Sequence, residues 1–177
     1  MKPIPEHMLQ PCDIILVAGT SRLSRGIMLM TGSPWSHAIL YVGGGRQRVI
    51  EAINGASVEA NSLETALQDC SRACVRRYPG LTVEDAEIIK GKAYSMVGMD
   101  YDEEQNFGLA IYNLLRKIGI KAPWLVANDK AKFNCSETVN IAYRAAMIVL
   151  AEAPEMETPA SLGETSKLVT VWDSLVD

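Results

Sequence analysis

The chain has little that would tie it to a membrane, a nucleic acid or a disulfide scaffold. Its longest apolar run, around Ala145–Ala151, falls far short of the roughly 18 residues that cross a bilayer, so no transmembrane segment is expected. Lysine and arginine number 17 against 21 aspartates and glutamates. That balance lacks the clustered positive charge on which phosphate-backbone recognition depends, and the pairs Arg76-Arg77 and Arg116-Lys117 read as solvated surface. The four cysteines, Cys12, Cys70, Cys74 and Cys135, stand at irregular spacings in 177 residues, a pattern of reduced thiols rather than of a disulfide framework. Cys70 and Cys74 are four apart, but no second pair accompanies them, so a structural zinc lacks ligands and no metal or cofactor is expected. There is no repeat and no low-complexity tract. The opening MKPIPEHMLQPCD has no apolar core of a signal peptide. The expectation is a cytoplasmic protein, with export by another route left open.

What is there is a globular balance: 48% hydrophobic and 21% charged residues, enough for one domain over residues 1–177 with its own core. Asp13 to Ala18 is a short run of branched apolar residues and reads as a buried strand. Ser24–Met30 suggests a helical turn or two. His37–Val42 and Arg48–Ala52 read as strands joined through Gly43-Gly44-Gly45, and Ala56–Glu59 and Cys74–Tyr78 extend the sheet. Ser62 can cap a short helix to Gln68. Thr82 with Asp85 forms a capping-box pattern for a helix to about Val97, with Gly98 suited to its end. Helical periodicity recurs over Phe107–Ile118 and, more strongly, over Cys135–Ala151. Glu155–Pro159 looks like a loop, and Lys167–Leu175 offers a last short element. The acidic cluster Asp100, Asp102, Glu103 and Glu104 reads as a solvated turn.

Two positions in this frame carry chemistry. Cys135 sits where a polar segment, Phe133-Asn134, turns into a helix. Free backbone N–H groups and the helix dipole there favour a thiolate and offer donors for an oxyanion. Of the two histidines, His7 lies in a proline-flanked leader, whereas His37 opens a strand after the turn Ser33–Ser36, where the sheet can hold its backbone. In a hairpin closed by three glycines, Val42 faces Arg46, and counting back sets His37 opposite Glu51 on one face. A one-residue slip would turn Glu51 away. Cys135 as nucleophile, His37 as base and Glu51 as orienter satisfy the geometry of thiol catalysis. Trp35 and Tyr41 flank the histidine and are candidates for lining a substrate cleft; packing against the sheet is the other reading of both.

Three segments, DIIL, GSPWSHAILYVGGG followed by VIEA, and FNCSETVNIAYRA, together resemble the permuted papain-like branch of the NlpC-type cysteine peptidase superfamily, which includes YiiX-like and lecithin:retinol acyltransferase-like proteins. The likeness runs from about Cys12 to Ala146, and the GMDYD segment, Gly98–Asp102, resembles the family's turn before the cysteine helix. It implies an α+β, circularly permuted papain-like fold: a small antiparallel sheet packed against helices, with the nucleophile at a helix N-terminus. It also implies hydrolysis or transfer at an amide, ester or thioester through an acyl-enzyme. Cys12 departs from the family pattern, which has glycine before the aspartate of the first strand. The expected partner is a small-molecule, peptide or lipid substrate; oligomeric state is not readable. The rival expectation is a binding module of the same fold, without turnover, that recognises a peptide, lipid or cell-wall fragment.

Overall fold

The structure, a computed structural model, describes residues 1–53, 56–101, 132–133, 135–150 and 158–176. The periodic stretch Phe107–Ile118 and the carboxylates of the acidic cluster lie outside what is described.

The chain builds an α+β architecture around one antiparallel sheet. In chain order the strands are β1 (Ile14–Gly19), β2 (His37–Tyr41), β3 (Val49–Ala52), β4 (Val58–Asn61), β5 (Cys70–Arg77) and, near the C-terminus, β8 (Val169–Asp173). They lie in the order β4-β3-β2-β1-β5-β8. A two-stranded parallel ladder joins β6 (Asp100–Tyr101) to β7 (Lys132–Phe133).

Both faces of the sheet are covered, which is why its central strands read as continuous apolar runs rather than alternating ones. On one face Ile14, Leu16, Ala38, Leu40, Ile50 and Ala52 pack with Ile89, Ala93, Val139, Ala142 and Tyr143. Those partners come from helices α3 (Val83–Ser95) and α4 (Cys135–Ala145). On the other face Ile15, Val17, Ile39, Tyr41, Val49, Val75 and Trp172 are covered by Ile4, Leu9 and Leu63, with Leu63 opening helix α2 (Leu63–Leu67). Each of the fully buried isoleucines and leucines contributes about 1.5–3 kcal/mol relative to exposure.

Helix ends follow their local chemistry. Ser62 caps α2 through the Thr65 N–H, and the Thr82–Asp85 capping box opens α3 as the sequence predicts. Helix α1 (Arg22–Thr31) starts at Ser21, which accepts from the Ser24 N–H, and stops at Gly32 in the left-handed region, φ 67°. Two expectations are corrected. The cysteine helix ends at Ala145 rather than Ala151, and Met147 follows it with φ 61°. The predicted loop Glu155–Pro159 runs into a helix, α5 (Pro159–Glu164): Thr158 accepts from the Ser161 N–H, and Pro159 occupies the first turn, where its missing N–H costs nothing.

The C-terminal elements bear on the segment before β2. Gly163 of α5 lies so close to Trp35 that a Cβ at this position would come within 2.7 Å of the indole. On the ring's face the Arg72 guanidinium stands 4.6 Å from the centroid, and Arg72 is itself held by Asp173 of β8 at 2.7 Å.

Candidate active site

His37 is the first residue of β2 and pairs with Val17 of β1. Its neighbour Ser36 is tied to the same strand three ways. The Ser36 N–H and hydroxyl both donate to the Val17 carbonyl, at 2.9 and 3.3 Å, and the hydroxyl accepts from the Gly19 N–H at 2.9 Å. The backbone beneath the imidazole is therefore fixed, while its ring, 23% exposed, stands at the sheet's end.

The hairpin that brings Glu51 to His37 differs in register from the expected one. Leu40 pairs with Ile50 and Tyr41 with Val49, and the Val42 N–H donates to the Arg48 carbonyl. The connection is thus residues 43–47, not three glycines. Gly43, Gly44 and Gly45 all adopt left-handed φ (69°, 72° and 59°), and Arg48 Nε closes the wider loop on the Gly45 carbonyl at 2.9 Å. Relative to the expected pairing this is a slip of two. Because side chains alternate with period two, Glu51 stays on the face of His37 and meets it diagonally. His37 Nε2 lies 2.8 Å from Glu51 Oε2.

With Nε2 engaged, the other ring nitrogen is left for Cys135, whose thiol interacts electrostatically with the imidazole. Cys135 opens α4, where the first-turn N–H groups have no intrahelical acceptor. Burial pushes its thiol up. The His37 charge and hydrogen bond, the Ala38 backbone N–H and the Ser136 hydroxyl together outweigh burial, so that the thiol pKa falls below its ordinary value. Burial likewise disfavours charge on His37, yet the Cys135 thiolate first and Glu51 second raise it from 6.5 to about 10. Burial works against the Glu51 carboxylate too; hydrogen bonding and charge from His37, with a further hydrogen bond from Asn61, bring it below the usual carboxylate range. The three shifts act together: each charge favours its neighbour's, with the thiol moved toward thiolate, the imidazole toward imidazolium and the carboxyl toward carboxylate.

The remaining candidates fall differently. Trp35 and Tyr41 are each 7% exposed. Trp35 packs in the core of the α3–α4 face and Tyr41 in the opposite core, and neither lines the pocket at the histidine. That pocket, about 240 Å³, is bounded by His37, Glu51, Ile53, Asn61, Thr65, Gln68 and Asp69 among others. Asn61, Thr65 and Gln68 escaped the sequence reading because nothing short of the β3–β4 register brings them to Glu51. Cys70 and Cys74 pack toward opposite faces, and among the described residues no group of three His, Cys, Asp or Glu side chains gathers as a metal site.

Comparison with known proteins bears on the family and the fold. The family described as permuted papain-like amidase enzyme, YaeF/YiiX, C92 family, matches over residues 8–109, a span that includes His37 and Glu51 and stops before Cys135. Among solved structures, metalloprotein YiiX from Escherichia coli O157:H7 shares the fold with a TM-score of 0.70 at 20% identity, over 94% of this chain and 98% of its own. No curated protein matches the chain.

Proposed function

The chain belongs to the permuted papain-like amidase family, and from that premise we propose that it is a cysteine hydrolase working through an acyl-enzyme on Cys135. The observation that carries the proposal is geometric, Cys135 at the first residue of α4 and His37 held through Nε2 by Glu51 at 2.8 Å, and the electrostatics agree with it, the buried thiol being shifted down and the imidazole up. That is the signature of a stored thiolate–imidazolium pair.

The Cys135 sulfur attacks the carbonyl carbon of an amide, and the carbonyl π electrons move to oxygen, where first-turn N–H groups of α4 are positioned to receive the charge. As the tetrahedral species collapses the C–N bond breaks, and the imidazolium proton facing the sulfur passes to the departing amine. The neutral imidazole then takes a proton from water, whose oxygen attacks the thioester; sulfur leaves with its electron pair and the acid product is released. Glu51 remains ionised and holds the ring throughout. The reading of the bond as an amide rests on the family description. The Escherichia coli neighbour is described as a metalloprotein; among the described residues here no three His, Cys, Asp or Glu side chains gather to hold a metal.

The test is intact-mass analysis of the protein mixed with a panel of peptide amides and long-chain acyl esters, alongside release of product. A thioester adduct on Cys135 with the amides, absent in Cys135→Ala, is the expected result. A Cys135→Ala variant that turns over the panel as well as the parent would overturn the proposal. Binding without any adduct or release would favour a non-catalytic module.

A further inference from the structure

We infer that Asn61 is a positioning residue for the Cys135–His37 pair, acting through Glu51; the inference rests on the hydrolase reading above. Glu51 uses only one oxygen, Oε2, toward His37. Its other oxygen, Oε1, accepts from Asn61 Nδ2 at 3.2 Å. A carboxylate held at one oxygen can still swing about its terminal torsion, which is broad and nearly two-fold; a donor on each oxygen fixes the plane. Glu51 is 5% exposed, so a lost partner is not cheaply replaced by bulk water.

The need for this donor follows from the register of β3 and β4. Glu51 stands directly opposite Glu59, and Val49 opposite Asn61. Two carboxylates thus face one another across the ladder on the side that carries His37, an arrangement that is unfavourable in itself. The Asn61 amide reaches both: the same Nδ2 lies 3.4 Å from Glu59 Oε2. An amide suits the position better than a cation would. It donates to the carboxylates without cancelling the negative charge that His37 feels, so the field on the imidazolium is kept while the geometry is locked. The pocket lined by His37, Glu51 and Asn61 lies on this side of the sheet, and the amide fills an Oε1 acceptor site that its loss would leave unpaired.

The consequence is legible without a substrate. Loss of the Asn61 donor weakens the hold of Glu51 on His37, the imidazolium becomes easier to deprotonate, and the thiolate loses its counter-charge. In the full chain, the acid-side midpoint of Cys135 alkylation by iodoacetamide is expected to rise by roughly one pH unit in Asn61→Leu, with about a tenfold lower rate below the midpoint. The His37 ring titration, followed by NMR, should move down from about 10. Asn61→Gln, which keeps the amide on a longer arm at this half-buried site, should recover most of both shifts, and Asn61→Ala replaces the leucine variant if that one does not fold. Midpoints at wild-type values in the variants, with only thermal stability lowered, would make Asn61 a structural residue and overturn the inference while leaving the hydrolase reading standing. A wild-type Cys135 that titrates in the ordinary thiol range would overturn both.

Discussion

Cys12 and Cys135 are buried to nearly the same degree, 2% and 5% exposed, yet their thiols are driven in opposite directions. At Cys12 burial dominates; Lys90 pulls the other way, but the Asp13 and Glu87 carboxylates add to burial, and the thiol is pushed up to about 12. It donates a 3.5 Å hydrogen bond to the Ala86 carbonyl, as a small apolar residue with a weak donor does. At Cys135 burial acts in the same sense, and the imidazolium charge with two further donors overturns it. The difference is therefore not depth. It is the balance of neighbouring charge: the His37 imidazolium outweighs burial at Cys135, whereas Lys90 does not at Cys12.

The largest separation between the two sites is expected on removing each sulfur. Cys135→Ala should lower amide turnover by at least about a thousandfold, whereas Cys12→Ala should stay within a few-fold of the parent; equal losses would erase the distinction. Next comes His37→Gln. Without the cation Cys135 should behave like Cys12, and its alkylation at neutral pH should fall by about a hundredfold, removing the selectivity that mass mapping of the four thiols would otherwise find. A smaller loss, about tenfold in kcat/KM, is expected for Glu51→Gln, accompanied by a lower His37 titration midpoint.

The pH dependence has a definite sign. His37 is raised on folding, so its stabilising contribution is complete below its ordinary value of 6.5 and disappears as pH climbs through about 10. Cys135 is lowered, so its contribution is present above 9.0 and is lost as pH falls through its folded value. Turnover should accordingly show a plateau bounded on the alkaline side near 10, and urea midpoints should decline as pH rises through that point in the wild type but not in His37→Gln. The smallest effect concerns Cys12 alone. Its φ of 72° is strained for any residue with a Cβ, so Cys12→Gly should be more stable than Cys12→Ala by about 1 kcal/mol, the reverse of the usual order. Urea unfolding of the two variants measures it.

That left-handed φ also explains a feature visible in the sequence. Glycine, which the family resemblance implies before the first-strand aspartate, would take this φ without strain, and Cys12 accepts the strain. Other features were legible for equally local reasons: the β1 run, the Thr82 capping box and the helix-start setting of Cys135 each depend on a few adjacent residues. Long-range register was not. The sequence count from three glycines set His37 opposite Glu51, two residues from the observed pairing, and the pair survived only because an even slip preserves the face. Asn61 went unnoticed because its role exists only once β4 is laid against β3. Trp35 and Tyr41 drew attention by flanking the histidine, but an alternating strand and a packed turn send both into cores. The α5 start was readable in Thr158-Pro159-Ala160-Ser161 and was passed over for the proline, which breaks helices inside and begins them at the edge.

The clasp on Trp35 gives the tail of the chain authority over a histidine it never touches. The indole is approached closely by Gly163 at its Cδ1–Nε1 edge and by the Arg72 guanidinium over its ring, which Asp173 anchors, and Trp35 is two residues upstream of His37. A single peptide-bond cut ahead of Thr158 that let the tail depart would free the tryptophan and slacken the start of β2. Thiol, imidazole and carboxylate would all remain on the longer fragment, chemically intact. Such a nick should disarm the molecule by remote unlatching, and it would register as a loss of Cys135 alkylation selectivity in a product whose own sequence is undamaged.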